Sequence, residues 1–279
     1  MLIFKTVEVI QSWIIEQRSL GHTIGFVPTM GALHPGHISL IDQSKLENDI
    51  TVCSIFVNPT QFNDPKDLEK YPRTLESDSR LLVDAHCEVL FYPTVDEIYT
   101  KGLKNIHIDL HDLDQVMEGL HRPGHFNGVV QVVHRLLDIV KPDRLYMGQK
   151  DFQQFTIIGH MIESLHLPVK LVVCPIRREI NGLAMSSRNM RLSPQARAVA
   201  SEIFRTISQV HHLMISMTPE QVTSHCYESL NHEPFKPEYV EIVNTKTLKP
   251  IQVWGSEGSS VICVAVWVEG VRLIDNVIL

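Results

Sequence analysis

Apolar positions over the first 175 residues switch repeatedly between helical and strand spacing. Val7, Ile10, Trp13 and Ile14 predict a helix over residues 6–20, stopped by Gly21. The apolar run at 22–27 predicts a short buried strand, and Ile38, Leu40 and Ile41 predict a helix over 38–47. Ile50, Val52, Ile55 and Phe56 predict a second strand over 49–57, closed by Asn58-Pro59 because proline has no donor and restricts the residue before it. A polar stretch with Pro65 and Pro72 belongs on the surface, a helix follows at 75–86, and a third strand at 88–92 ends at Pro93. Asn105 to Leu110 alternates like a strand. Val129, Val132, Val133, Leu136, Leu137 and Val140 repeat at i, i+3, i+4, so the period outweighs valine's strand preference and predicts a helix capped by Asn127. A strand at 143–147, a helix carrying Phe155, Ile158, Ile162 and Leu165, and a strand at 168–174 complete this part.

The pattern then changes. A polar loop over 177–191 precedes Ser193-Pro194, a cap with proline at the first helical position. Helices are predicted over 194–214 and 218–230, then strands over 238–243, 261–268 and 271–274. Alternating strand and helix argues a doubly wound, Rossmann-like α/β parallel sheet with helices on both faces. The remainder reads as a smaller α+β C-terminal domain, giving domains 1–180 and 181–279.

Composition narrows the class. The chain has 279 residues, 44% hydrophobic and 20% charged, enough to bury a full core. A formal charge of −7 argues against a nucleic-acid binder. The five cysteines form no C-x-x-C pair, and Cys53, Cys174 and Cys263 have apolar neighbours, which fits reduced thiols. The N-terminal residues show no sustained apolar h-region, and no apolar run is long enough to span a bilayer, so the expected setting is the cytoplasm, with no membrane partner.

Four unusual polar stretches fall after predicted strands, where open α/β sheets bind ligands. Met30-Gly31-Ala32-Leu33-His34-Pro35-Gly36-His37 is a strand-to-helix turn; a helix N-terminus with free N–H groups and two imidazoles is an anion site in outline. Asn58 and Gln61 follow the second strand, and Gly148-Gln149-Lys150-Asp151 follows the strand at 143–147. Met185-Ser186-Ser187-Arg188 lies in the polar loop and offers hydroxyls and a planar cation suited to a triphosphate. Gln61 and Gln154 suit a small substrate bearing hydroxyl and carboxylate groups, and Arg122, His125 and Asn127 are further substrate candidates. Asp64, Asp67, Asp78 and Asp151 are candidate Mg²⁺ neighbours, among which the sequence does not choose, so the metal ligands are unknown.

These segments carry a resemblance. The stretch from Pro28 to His37, Phe56-Val57-Asn58-Pro59-Thr60-Gln61-Phe62, Tyr71-Pro72-Arg73-Thr74, Arg122-Pro123-Gly124-His125-Phe126, Lys150-Asp151-Phe152-Gln153-Gln154 and Met185-Ser186-Ser187-Arg188-Asn189 resemble the pantoate–β-alanine ligase (pantothenate synthetase) family. His-x-Gly-His alone indicates only the wider nucleotidyl-transfer superfamily. The resemblance implies that pantoate carboxylate attacks the α-phosphate of ATP, forming pantoyl adenylate and pyrophosphate. The amine of β-alanine then displaces AMP, giving pantothenate. It implies ATP contacts from Met30 to His37, Gly148 to Asp151, Arg177 and Met185 to Arg188. Catalytic roles fall on His34, His37, Lys150, Ser186, Ser187 and Arg188, with His37 placed as the acid. Gln61 is implied to touch both small substrates and Gln154 to touch pantoate. Mg²⁺, a homodimer and a closing C-terminal domain are also implied.

The chain departs from the family's usual residues at Gln149, where glutamate is usual, and at Arg177, where a small or medium apolar residue is usual. Two competing readings are a nucleotidylyltransferase of the same superfamily and an ATP-binding regulator without catalysis. The first separates by its product, and the second by binding without turnover.

Overall fold

The computed structural model describes residues 1–62, 68–69, 71–102, 105–255 and 258–279. Six parallel strands form one sheet: β1 (Leu2–Phe4), β2 (Ile24–Thr29), β3 (Ile50–Ile55), β4 (Val89–Phe91), β5 (Arg144–Gly148) and β6 (Lys170–Cys174), in the order β1-β4-β3-β2-β5-β6. The order reverses direction between β2 and β5, which opens a crevice beyond their carboxyl ends. Helices α1 (Val7–Ser19), α2 (Pro35–Glu47) and α3 (Leu75–Asp84), then two short helices, α4 (Val95–Ile98) and α5 (Met117–His121), then α6 (His125–Val140) and α7 (Phe152–Ser164), accompany the sheet. β2 to β5 are buried at nearly every position, as a sheet covered on both faces requires.

Four segments differ from the sequence pattern, each for a visible reason. β1 is absent from that pattern; three residues at a sheet edge, two of them exposed, carry no readable period. Residues 105–110 form no strand. Instead the Gln131 side chain donates to the Ile106 carbonyl (2.7 Å) and accepts from its N–H (2.9 Å), standing in for a neighbouring strand. Helix α6 begins at His125, before Asn127, with left-handed Gly124 as its N-cap. Its first turn contains Gly128, where a Cβ would lie 2.4 Å from the Thr60 carbonyl oxygen, so this is a close-packing helix glycine. The predicted helix over 194–214 is three short ones, α8 (Pro194–Val199), α9 (Glu202–Ser208) and α10 (Val210–Leu213). Tight i→i+3 bonds such as Ile203 N–H to Ala200 and Gln209 N–H to Thr206 mark the breaks.

Helix α11 (Pro219–Leu230) and a three-stranded antiparallel sheet follow: β7 (Phe235–Asn244), β8 (Ser260–Val268) and β9 (Val271–Ile278). The two-residue turn Glu269-Gly270, both with positive φ, joins β8 to β9. Ser193 caps α8 as expected, accepting from Ala196 N–H. This small sheet is covered on both faces. Ile262, Val264, Val266, Val271 and Leu273 pack with α9 and α11, while Tyr239, Val261, Cys263 and Ala265 join the core of the large sheet. Packing of that kind places β9 beside the crevice. All five cysteines are buried and unpaired. No described helix is long and apolar enough to cross a membrane.

Candidate active site

The turn from β2 to α2 is shaped from within. Gly31 has φ +83° and Ala32 φ +51°, so the chain reverses sharply after Met30. Thr29 Oγ1 accepts from Gly31 N–H, and the buried Asp78 carboxylate accepts from Ala32 N–H (2.9 Å) and Leu33 N–H (2.8 Å). Thr74 Oγ1 donates to the same carboxylate. Asp78 is therefore spent as a clamp and is not free to neighbour Mg²⁺, contrary to one candidate placement. The amides it holds are equally unavailable. Gly31, Ala32 and Leu33 build the loop and line neither of the two cavities that meet at Lys150; Leu33 sits in the apolar core and Pro35 is exposed.

The start of α2 has no free amide to offer an anion. Gly36 N–H donates to His34 Nδ1 (3.1 Å), and His34 N–H donates to His37 Nδ1 (3.3 Å). His37 and Ile38 N–H both donate to the His34 carbonyl, and Pro35 has no N–H. The sequence expectation of free helix-terminal N–H groups is thus corrected: a reciprocal imidazole capping box takes those of His34 and Gly36, and the His34 carbonyl takes those of His37 and Ile38. These partners assign the tautomers, since an Nδ1 that accepts leaves the proton on Nε2. Burial and the Lys150 charge lower the His34 pKa to about 4. Burial, then His34 and Lys150, lower His37 well below its ordinary value. Both rings, with centroids 4.0 Å apart and planes tilted by 37°, are neutral Nε2–H donors at neutral pH.

Two adjoining cavities occupy the crevice, of ≈ 210 Å³ and ≈ 380 Å³, sharing Lys150, Asp151 and Gln154. The smaller is lined by Met30, His34, Gly36, His37, Asn58, Gln61, Gly148, Arg177 and Met185. The larger brings in Arg122, His125, Ser186 and Arg188. Lys150 Nζ reaches the Met185 carbonyl at 3.4 Å, which joins the lysine turn to the serine-bearing loop. Ser186 Oγ accepts from Arg188 N–H and caps the short 3-10 helix Ser187–Arg191. Ser187 and Gln149, both expected at the nucleotide, line neither main cavity. Ser187 is the first residue of the 3-10 turn, and the Gln149 side chain donates to Asn276 Oδ1 at 3.0 Å instead.

Asn58 lines the smaller cavity with no bonding capacity to spare. Its Oδ1 accepts from Thr60 N–H, Thr60 Oγ1 and Tyr99 OH, and its Nδ2 donates to Gln61 Oε1 and the Gly128 carbonyl. The expected substrate contact is replaced by a support for Gln61, whose Nε2 also meets Met30 Sδ. Gln154 has no side-chain hydrogen bond among the described residues and stays open to both cavities. The neighbouring Gln153 is buried, bonding Glu118 N–H and the Leu113 and Val116 carbonyls.

His125 has the opposite tautomer to the first pair. Its Nδ1 lies 2.8 Å from the Gln61 carbonyl, which only accepts, so Nδ1 carries the proton and Nε2 keeps a lone pair. Burial, with Arg122 beside it, lowers its pKa to about 4. Across the larger cavity Arg272 from β9 forks onto Glu118 (2.7 and 2.8 Å) and reaches Glu238 (2.6 Å), while Tyr239 OH donates to Glu118. Burial opposes the Glu118 charge, but Arg272 outweighs it and the pKa falls.

Sequence reasoning missed Glu118, Asp275, Asn276 and Arg272. The available signal was the polar pair Asp275-Asn276 in an otherwise apolar final segment, just past the strand predicted over 271–274. Among the described residues no cluster of three metal-ligating side chains occurs. Asp151, exposed and lining both cavities, is the candidate carboxylate left at the crevice, while Asp64 and Asp67 lie outside the described residues.

The sequence matches the family model for pantoate–β-alanine ligase over residues 2–278. A pantothenate synthetase of Porphyromonas gingivalis is 50% identical over 278 residues, 99% of each chain. One from Cytophaga hutchinsonii is 45% identical, over 100% of this chain and 99% of the relative. The crystal structure of pantothenate synthetase from Thermus thermophilus superposes with a TM-score of 0.91 at 37% identity, covering 99% of both chains. A pantoate–β-alanine ligase from Francisella tularensis, complexed with beta-gamma ATP and beta-alanine, gives a TM-score of 0.80 at 37% identity over 99% of this chain and 97% of that one.

Proposed function

This chain belongs to the pantoate–β-alanine ligase family, and from that premise we propose that it works in two steps through a pantoyl adenylate, with ATP as the activating substrate. Pantoate carboxylate is ionised at neutral pH, so its attack on the α-phosphate needs no general base. It needs alignment and donors where negative charge develops. The observation that carries this reading is that two neutral Nε2–H imidazoles, Lys150, Gln61 and Gln154 line one cavity.

His34 and His37 donate to the α-phosphate oxygens, and Lys150 supplies positive charge. Because both rings are neutral, they act by hydrogen bonding and not as imidazolium acids. Gln61 and Gln154 hold the pantoate hydroxyl and carboxylate. Ser186 and Arg188 approach the phosphates from the larger cavity, and Arg177 lies beside the nucleotide. In the second step Arg122 and Arg188 attract the carboxylate of β-alanine, and the His125 Nε2 lone pair accepts from its amine. AMP is a good leaving group, so no covalent enzyme intermediate is required.

Mg²⁺ fits a site of this kind, since it takes one or two carboxylates and fills its shell with phosphate oxygens and water. Asp151, which lines both cavities, would carry it, directly or through water. When bound, the ion supplies charge neutralisation on the phosphates. The same reading divides the chain into a nucleotide- and pantoate-binding domain (1–180) and a C-terminal lid domain (181–279), and makes the enzyme a cytoplasmic homodimer.

Pantoate-dependent exchange of labelled pyrophosphate into ATP tests the proposal. Exchange that requires pantoate and not β-alanine is the expected result. No exchange from folded protein supplied with Mg²⁺ contradicts it.

A further inference from the structure

Lys150 sits at a turn, where a side chain's direction depends on its own φ and ψ. Both peptide planes that define those angles are held by one residue. Asn276 Nδ2 donates to the Gln149 carbonyl at 2.9 Å and to the Lys150 carbonyl at 3.0 Å. The first carbonyl belongs to the peptide before Lys150 and the second to the peptide after it. Asn276 Oδ1 accepts from Gln149 Nε2 at 3.0 Å, so the amide has no spare capacity on this side. Its orientation follows from chemistry, because two carbonyl oxygens can face only the NH₂ end. Asn276 is 1% exposed.

The residue before it works on the opposite face of β9, as alternation in a strand requires. Asp275, 4% exposed, accepts a two-pronged ion pair from Arg178 at 2.6 and 3.0 Å. Arg178 also donates to the Gly182 carbonyl and pairs with Ala184 across a small antiparallel hairpin. That hairpin leads directly into Met185 and the serine-bearing loop. Two consecutive buried polar residues of β9 thus grip the two segments that bring cations into the crevice.

We propose that Asn276 is a positioning residue for Lys150, fixing both peptide planes around it while Asp275 registers the Ser186–Arg188 loop against the same strand. The inference rests on the two-step reading above for its kinetic consequence, but not for its geometric one. Asn276 touches no substrate; it acts through the backbone of the lysine turn. Loss of its two donor bonds frees Lys150 to swing while leaving Gln61 and Gln154, and hence pantoate binding, in place.

The test compares Asn276→Ala and Asn276→Asp with Val277→Ala, which thins packing on the same strand and removes no hydrogen bond to the 148–151 turn. Pyrophosphate exchange is expected to lose kcat by roughly ten- to a hundredfold in both Asn276 variants, with KM for pantoate within about twofold. Val277→Ala is expected to keep kcat. Hydrogen–deuterium exchange gives a readout independent of activity: the peptide covering 148–151 should exchange at least about tenfold faster in Asn276→Ala under folded conditions, given the loss of its anchoring bonds. Unchanged protection at 148–151 overturns the inference, as does a kcat loss that Val277→Ala reproduces. If wild-type protein shows no pantoate-dependent exchange, the ligase mechanism fails while the exchange measurement still decides the role of Asn276.

Discussion

The wall carrying His34 and His37 is made almost entirely from one strand–turn–helix unit and a single clamp, Asp78, 45 and 46 residues from the amides it holds. The wall carrying Lys150 and Arg188 depends on β9, whose Asn276 is 126 and 127 residues from the carbonyls it binds. The first wall is rigid by local geometry: a left-handed reversal, a capping box and a buried carboxylate. The second is assembled only when the small C-terminal sheet packs onto the large one. The crevice is thus preformed on one side and completed by tertiary packing on the other, so substitutions at the two should fail differently.

The largest expected effect comes from Arg272, at the junction of the two sheets. Arg272→Met leaves Glu118 and Glu238 facing each other without their shared cation and should destabilise the fold by about 3–5 kcal/mol. Chemical denaturation checks this. A loss under about 1 kcal/mol would mean that β9 is held by its apolar faces alone. On the local wall, His37→Ala removes one donor and should lower kcat by roughly 10²- to 10³-fold, as removal of an oxyanion-hole donor does. The fold should remain, because the ring stands at a helix start and supports little core. A variant that unfolds but retains near-normal turnover per folded molecule would assign His37 to structure instead.

Asp78→Asn sharpens the contrast further. The amide turns an NH₂ toward at least one clamped N–H, so stability should fall by about 1–3 kcal/mol. The Mg²⁺ concentration for half-maximal activity should not move. A rise in that concentration with unchanged stability would restore Asp78 as a metal neighbour.

The last effect is in pH. His34 and His125 are held at about 4 in the folded chain, below the ordinary 6.5 of the unfolded one. Between these values the unfolded state binds more protons, so stability rises with pH from about 4 and its full contribution is present above about 6.5. Lowering pH through that window should weaken the protein, and denaturation midpoints across pH 4–8 would show the slope. Turnover should show no histidine titration between pH 6.5 and 8, since the rings are already neutral.

Legibility in the sequence follows the same division. The helical and strand periods exposed the alternating fold, and the His34–His37, Lys150 and Ser186–Arg188 segments fall at the crevice as strand-end chemistry suggested. What was not legible is how each polar group is spent. Nothing local distinguishes an Asn58 that binds substrate from one whose amide is consumed by Thr60, Tyr99, Gln61 and Gly128. Nothing local shows that the His34 and Gly36 amides are taken by imidazoles, or that Gln149 faces Asn276 and not the cavity. The need for glycine at 128 is hidden for the same reason, because its cause is Thr60, brought close by tertiary packing. Local spacing locates candidate chemistry; hydrogen-bond accounting across the fold decides which groups stay free to perform it.

The central claim is that the groups the His34–His37 wall offers to the crevice are neutral Nε2–H imidazoles and not backbone amides or imidazolium ions. A long-range ¹H–¹⁵N correlation spectrum of the imidazole rings at pH 7 tests it most directly. The account predicts protonated Nε2 and bare Nδ1 for His34 and His37, with the reverse for His125. A charged ring, or a proton on Nδ1, at either His34 or His37 would contradict it.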